Sequence, residues 1–243
     1  MVMHTLTANL RLFWNGTLLS YIALFRWLHP PTYLASKIAM PLAQILFFTF
    51  LGTFATGRDN ASFYVIGNAV QIAAVSGIYG VTMSIGGDRW AGTLPYLFGT
   101  PANRLTMFVG RAFMHVIDGM LGVVIGLAWG ALLLGLDFSR TDFGALALAI
   151  LVTTFSTSGL GLLMGCLSLI TLNVMFINNA VYFSLLIFSG ANVPIASLPP
   201  ALQAISAALP LTRGIQAARA IVGGAGFDQV GPLIGGEFLI GAI

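Results

Sequence analysis

The chain has 243 residues, of which 58% are apolar and 7% charged, and its mean hydropathy is +0.94. A water-soluble domain carries about 25% charged residues, so too little polar surface exists here to cover a soluble globule, and the long apolar runs lack the alternation of barrel strands. A formal net charge of +3 gives no ground for nucleic-acid binding, and one cysteine, Cys166, set in an apolar run, supplies neither a disulfide framework nor a metal set. These limits leave an all-α integral membrane protein, a single transmembrane domain over residues 1–243.

Residues 5–28 place Leu6, Leu10, Phe13, Trp14, Leu18, Tyr21, Ile22, Phe25 and Leu28 at helical spacing on one face. Asn9, Asn15, Gly16, Ser20 and Arg26 fall on the other, with Arg11 at its edge. This pattern predicts an amphipathic helix lying flat in the membrane interface; as a span it would have to carry two arginines across the bilayer. Arg11, Asn15 and Gly16 interrupt the first apolar run, which is not a typical cleavable signal. His29-Pro30-Pro31 then ends the helix and turns the chain.

Five spans are expected at 37–56, 62–85, 112–136, 143–170 and 174–191, each near the ~20 residues a bilayer requires. Gly159, Gly161 and Gly165 allow close helix contact in the fourth. With the N-terminus in the cytoplasm, the inner side holds Arg11, Arg26, Lys37, Arg89, Arg104 and Arg111, and the outer side Arg58, Arg140, Arg213 and Arg219. That bias has the expected direction for a plasma-membrane protein.

Between the second and third spans, residues 86–111 concentrate four of the seventeen charged side chains, Asp88, Arg89, Arg104 and Arg111. The centre, Trp90 to Phe98, is too short to cross and too apolar for an ordinary loop. Such a segment lies along the membrane surface or docks on a partner. In the docking reading Trp90, Leu94, Leu97 and Phe98 fill a partner's groove, while Asp88, Arg89 and Arg104 fix orientation at its rim.

After the fifth span, Pro194, Pro199, Pro200 and Pro210 divide 194–222 into two pieces too short to span. Ser197 is the expected cap of the first, whose apolar face is Leu198, Leu202, Ile205 and Leu209; the second opens at Thr212 and carries Arg213 and Arg219. The apolar face predicts a re-entrant hairpin in the outer leaflet, the alternative being a surface loop. Gly223 to Gly226 form a hinge-like turn. The run 230–243 starts a sixth span and at about 21 Å falls short of a ~30 Å core, so a truncated last span is expected.

Arg111, His115 and Asp118 share one helix face at i, i+4 and i+7. A proton relay uses such groups, and so does an intramembrane salt bridge that fixes packing, which is the preferred reading. Asn178 and Asn179 either meet a solute or hydrogen-bond across helices. Ser156-Thr157-Ser158 invites a serine hydrolase, but the only candidate base, His115, lies on another span.

The order of these elements resembles the permease subunits of type-2 ABC exporters. Two motifs support the resemblance. One is Asp88-Arg89, Gly92-Thr93-Leu94, Leu97, Thr100-Pro101, Arg104 and Gly110-Arg111; the other is Pro194, Leu198-Pro199, Leu202, Leu209-Pro210-Leu211-Thr212 and Arg219. Pro95 and Arg213 depart from the family pattern, where an acid and an aromatic are common. The resemblance implies a six-span fold with a cytoplasmic coupling loop and an outer re-entrant hairpin. It also implies two permeases, alike or paralogous, with two ATP-binding cassette subunits, moving an amphipathic drug-like or lipid-linked solute outward. The chain has no G-x-x-x-x-G-K-[ST] phosphate loop, since its sole lysine is Lys37; ATP and Mg are expected on the partner, with no cofactor on this chain. The competing expectation is an ion-coupled carrier without an ATPase, built on Arg111, His115 and Asp118.

Overall fold

The structure is a computed structural model that describes all residues except Met1, Leu28 and Leu172, with the side chains of 2–6 and 23–27 also outside the description. Leu6, Phe25, Arg26 and Leu28, assigned above to the two faces of the first helix, therefore lie outside the described residues. No strand occurs among those described. Helix α1 is Val2–Trp27 and α2 is Pro30–Thr56. A 3-10 turn, Arg58–Asn60, leads into α3, Ala61–Ala74, which passes through a π-helical turn, Val75–Gly80, into α4, Val81–Trp90. The short α5 is Leu94–Phe98, followed by α6, Arg104–Leu134, and α7, Phe143–Ser168. Then come α8, Val174–Phe188, α9, Pro200–Ala208, α10, Thr212–Val222, and α11, Phe227–Ala242.

Four of these are long and apolar enough to cross a membrane: Pro30–Thr56, the continuous rod Arg58–Trp90, Arg104–Leu134 and Phe143–Ser168. The fifth expected span is shorter than predicted. Helix α8 has 15 residues, about 22 Å at 1.5 Å rise, and residues 189–193 bend instead of continuing it. Two helices start earlier than expected. Pro30 and Pro31 occupy the first turn of α2, where a missing N–H costs nothing. Asn103 caps α6, its side chain accepting from Thr106 N at 3.2 Å, so the helix opens at Arg104. The connection between α4 and α6 is thus 91–103, shorter than the predicted 86–111.

The rod of α3, the π turn and α4 is the buried axis, flanked by α2, α6, α7 and α10. Backbones touch where side chains are absent: a Cβ on Gly161 would overlap the carbonyl oxygen of Gly77, and one on Gly110 would overlap that of Phe13. The second contact seats α1 on α6. Thr17 Oγ1 donates to Gly110 O at 2.8 Å, and Ser20 meets Ser84 at 2.8 Å. Helix α1 thus packs on the bundle through the polar face of its amphipathic pattern. Its small polar residues Gly16, Thr17 and Ser20 are buried against α6 and α4, while Leu10, Trp14, Leu18, Tyr21 and Ile22 point outward. Small residues permit closer approach than large apolar ones, and lipid accepts the latter.

Candidate functional site

Loop 91–103 is built from its hinges inward. Gly92 takes φ +69°, a conformation that costs glycine nothing. It lets Thr93 turn back on α4, donating its amide to Asp88 O at 2.9 Å and its hydroxyl to Asp88 Oδ1 at 3.2 Å. Helix α5 follows, with Pro95 in its first turn, where proline is tolerated. Thr100 Oγ1 donates to Leu97 O at 2.9 Å, and Pro101 leads to the Asn103 cap.

The charged residues predicted for the rim of a partner are engaged within the chain. Asp88 pairs with Arg111 of α6 at 2.5 Å. Arg89 donates to Ser168 O at 3.2 Å, at the C-terminal end of α7, where a cation complements the exposed carbonyls. Arg104 donates to Phe98 O at 3.3 Å and lies 4.7 Å over the Phe98 ring. Leu94, Leu97 and Phe98 are half-buried, whereas Trp90 is 51% and Tyr96 79% exposed. The apolar tip offered outward is therefore Trp90, Pro95 and Tyr96, braced by three internal cation contacts. Tyr96 was missed because a five-residue helix is too short for its faces to be told from periodicity.

Arg111, His115 and Asp118 do lie on one face, but each reaches a different neighbour. Asp118 pairs with Lys37 of α2 at 2.6 Å and accepts from Ser76 at 2.5 Å and from the Tyr33 hydroxyl. Arg111 also donates to Ser84 O at 2.8 Å. His115 packs on Gly80, and its Nε2 is buried without a hydrogen-bond partner. The intramembrane salt bridges thus run between helices, not along α6. Lys37, Tyr33 and Ser76 were overlooked, although a lysine inside an apolar run is a signal for a buried partner.

The two asparagines separate. Asn179 accepts from the Tyr79 hydroxyl at 2.7 Å, and the Tyr79 and Tyr182 rings meet edge-on at 5.7 Å. Asn178 is fully buried, accepting from Thr82 at 3.4 Å. Tyr79 belongs to the π turn, a distortion that recurs at functional sites.

The 194–222 segment folds as two short helices with a deep turn between them. Ser197 closes a 3-10 turn by donating to Pro194 O at 2.7 Å and does not cap α9; Pro199 stands before that helix and Pro200 opens it. Leu202 is half-buried and Pro210 and Thr212 are buried. Leu211 adopts φ +80°, unusual for a side chain that large. Glu237 of α11 is fully buried and accepts there from Leu211 N at 2.5 Å and Gly214 N at 3.3 Å. A carboxylate at the N-terminus of α10 satisfies amides that a helix start leaves open. Arg219 does not reach for solvent: it donates to Phe63 O, Gly190 O and Ala191 O at 2.8–3.2 Å and stacks 3.4 Å over the Phe63 ring.

A buried rod among long apolar helices, with a braced short helix at one end and a hairpin of short helices at the other, defines a multi-pass helical membrane protein. The profile of the ABC-2 type transporter family matches residues 16–222. The chain is also 30% identical over 224 residues to the daunorubicin resistance ABC transporter permease protein DrrB1 of Streptomyces coeruleorubidus, covering 86% of this chain and 75% of that one. The chain belongs to the ABC-2 type transporter family, as a membrane permease subunit.

Proposed function

We propose that this permease works in an ATP-driven exporter of the plasma membrane, two permease copies with two ATP-binding subunits, and that loop 91–103 is where the ATPase docks. ATP and Mg belong to the partner, and the N-terminus and the loop face the cytoplasm. The observation behind this reading is the pairing of an exposed apolar tip, Trp90, Pro95 and Tyr96, with local charges engaged inside the chain. A tip so braced transmits a push to α4 and α6 without first rearranging. The exported solute is an amphipathic drug-like molecule, for which the name of the relative makes daunorubicin the first probe. Tyr79, Asn179 and Tyr182 are the residues we assign to its path. The pairing of Asp118 with Lys37 supports a packing role for the intramembrane charges over an ion-coupled carrier.

Co-purification tests the docking. Alanine at Trp90, Leu94, Tyr96 and Leu97 together is expected to abolish association with the ATPase while the permease still inserts. Undiminished association sinks the assignment. In the intact complex, daunorubicin is expected to stimulate ATP hydrolysis.

A further inference from the structure

At the end of the bundle opposite loop 91–103, two cavities of ≈ 680 and ≈ 600 Å³ share Ala61 and Leu134 as walls. With those two shared walls we treat them as the two halves of one trough. The smaller half runs between α2 and α6 and is lined by Thr49, Phe50, Thr53 and Phe54, with Arg58 at its edge. Phe50 and Phe54 are 61% and 92% exposed, so this half opens sideways, where a bilayer has its acyl chains. Thr49 Oγ1, on its floor, is buried without a hydrogen-bond partner.

The larger half is lined by Asp59, Ser62, Phe63, Asp137, Arg140 and Arg219, among others. Its charges have both signs, and Arg140 already acts on Asp137 through space. Among the described residues Asp59 and Arg140 of this half, and Arg58 at the edge of the smaller one, enter no ion pair. Asp137 accepts from Ser139 N and Oγ at 2.8 Å; these bonds hold its carboxyl below the usual carboxylate range, so it is ionised at neutral pH. The Arg219 guanidinium is already occupied by backbone carbonyls.

We infer that this trough binds one zwitterionic phospholipid with a primary ammonium head group, its acyl chains along Phe50, Phe54 and Leu134. The phosphate meets Arg58 and Arg140, as planar guanidinium donors suit phosphate oxygens. The ammonium, with three N–H donors, meets Asp59 and Asp137. An anionic lipid leaves both carboxylates facing its charge, and a choline head group has no N–H to give them. A purely cationic solute leaves both arginines unmatched. The site is on the outer leaflet in the orientation proposed above, but its chemistry does not depend on which solute is exported.

The test uses the full chain in nanodiscs of equal parts dioleoyl phosphatidylethanolamine, phosphatidylcholine and phosphatidylglycerol. Lipid retained after detergent exchange is read by native mass spectrometry. Phosphatidylethanolamine should be retained about tenfold over the other two. Asp59→Asn with Arg140→Gln should bring the three to parity, and Ala61→Trp, at the junction of the halves, should remove the bound lipid. If Ala61→Trp lowers the yield of folded protein, Ser62→Trp at the exposed wall blocks the polar half instead. Equal retention by the unaltered chain overturns the proposal, as does an undiminished preference in the head-group variant. Displacement by soluble glycerophosphoethanolamine overturns the role of the apolar half, and displacement by daunorubicin makes the trough an exit site for the solute instead. None of these readouts involves ATP hydrolysis, so this inference and the exporter reading fail separately.

Discussion

Asp118 receives a lysine ammonium, a serine hydroxyl and a tyrosine hydroxyl inside a membrane helix. Removing it strands Lys37, and breaking one side of a buried pair costs about 3–5 kcal/mol, whereas replacing both partners by apolar groups is often neutral. Asp118→Ala should therefore lower the thermal unfolding midpoint of the detergent-solubilised protein sharply, and Lys37→Met with Asp118→Leu should recover most of the loss. A double variant as unstable as the single one would show that the pair does not hold α2 in place. The sequence made Asp118 and Arg111 visible as rare intramembrane charges but pointed to the wrong partners. Helical spacing reports neighbours three or four residues away, while Lys37 and Asp88 stand 81 and 23 residues distant.

At the scale of the element, the 194–222 hairpin depends on a residue far from it in sequence. Glu237 holds the amides of Leu211 and Gly214, at the turn where Leu211 carries a positive φ. Glu237→Ala leaves those amides unpaired at about 1–3 kcal/mol each, and should open the hairpin to limited proteolysis around 209–214. Glu237→Gln keeps an acceptor and should be nearly as resistant as the unaltered chain. Equal proteolysis of all three would remove Glu237 as the anchor. The hairpin itself was legible from its four prolines, which break any continuous helix. Its anchor was not, because a lone glutamate in an apolar run names no partner. Helix ends were misplaced for a related reason: Pro30 and Asn103 are both breakers and starters, and only the folded chain tells which.

For the whole molecule, the membrane placement is testable by labelling. In a Cys166→Ala background, single cysteines at Asn60 and Ser139 should react with an impermeant thiol reagent added outside intact cells, and one at Thr100 only after the inner face is exposed. All three positions are exposed. Reversed labelling would put loop 91–103 outside and end its assignment to an ATPase. The class of the protein was legible from composition, because 7% charge cannot cover a soluble surface. The packing of α1 through Gly16, Thr17 and Ser20 was not, since amphipathicity does not tell whether a polar face meets water or another helix.

The π turn at Val75–Gly80 has a consequence for how such chains diverge. It holds one residue more than a regular α turn uses, and each residue advances a helix by about 100°. The two ends of the central rod are therefore out of phase by one step. Asp88 meets Arg111, and Arg89 meets the end of α7, only with that step in place. Deleting one residue between 75 and 80 would restore a plain helix and swing both side chains about a quarter turn off their partners. A deletion in 91–103 shifts no helix phase, but it breaks the bonds between Thr93 and Asp88 that shape the loop. In the rod a lost residue thus has to be matched by a gained one before the two ends register again.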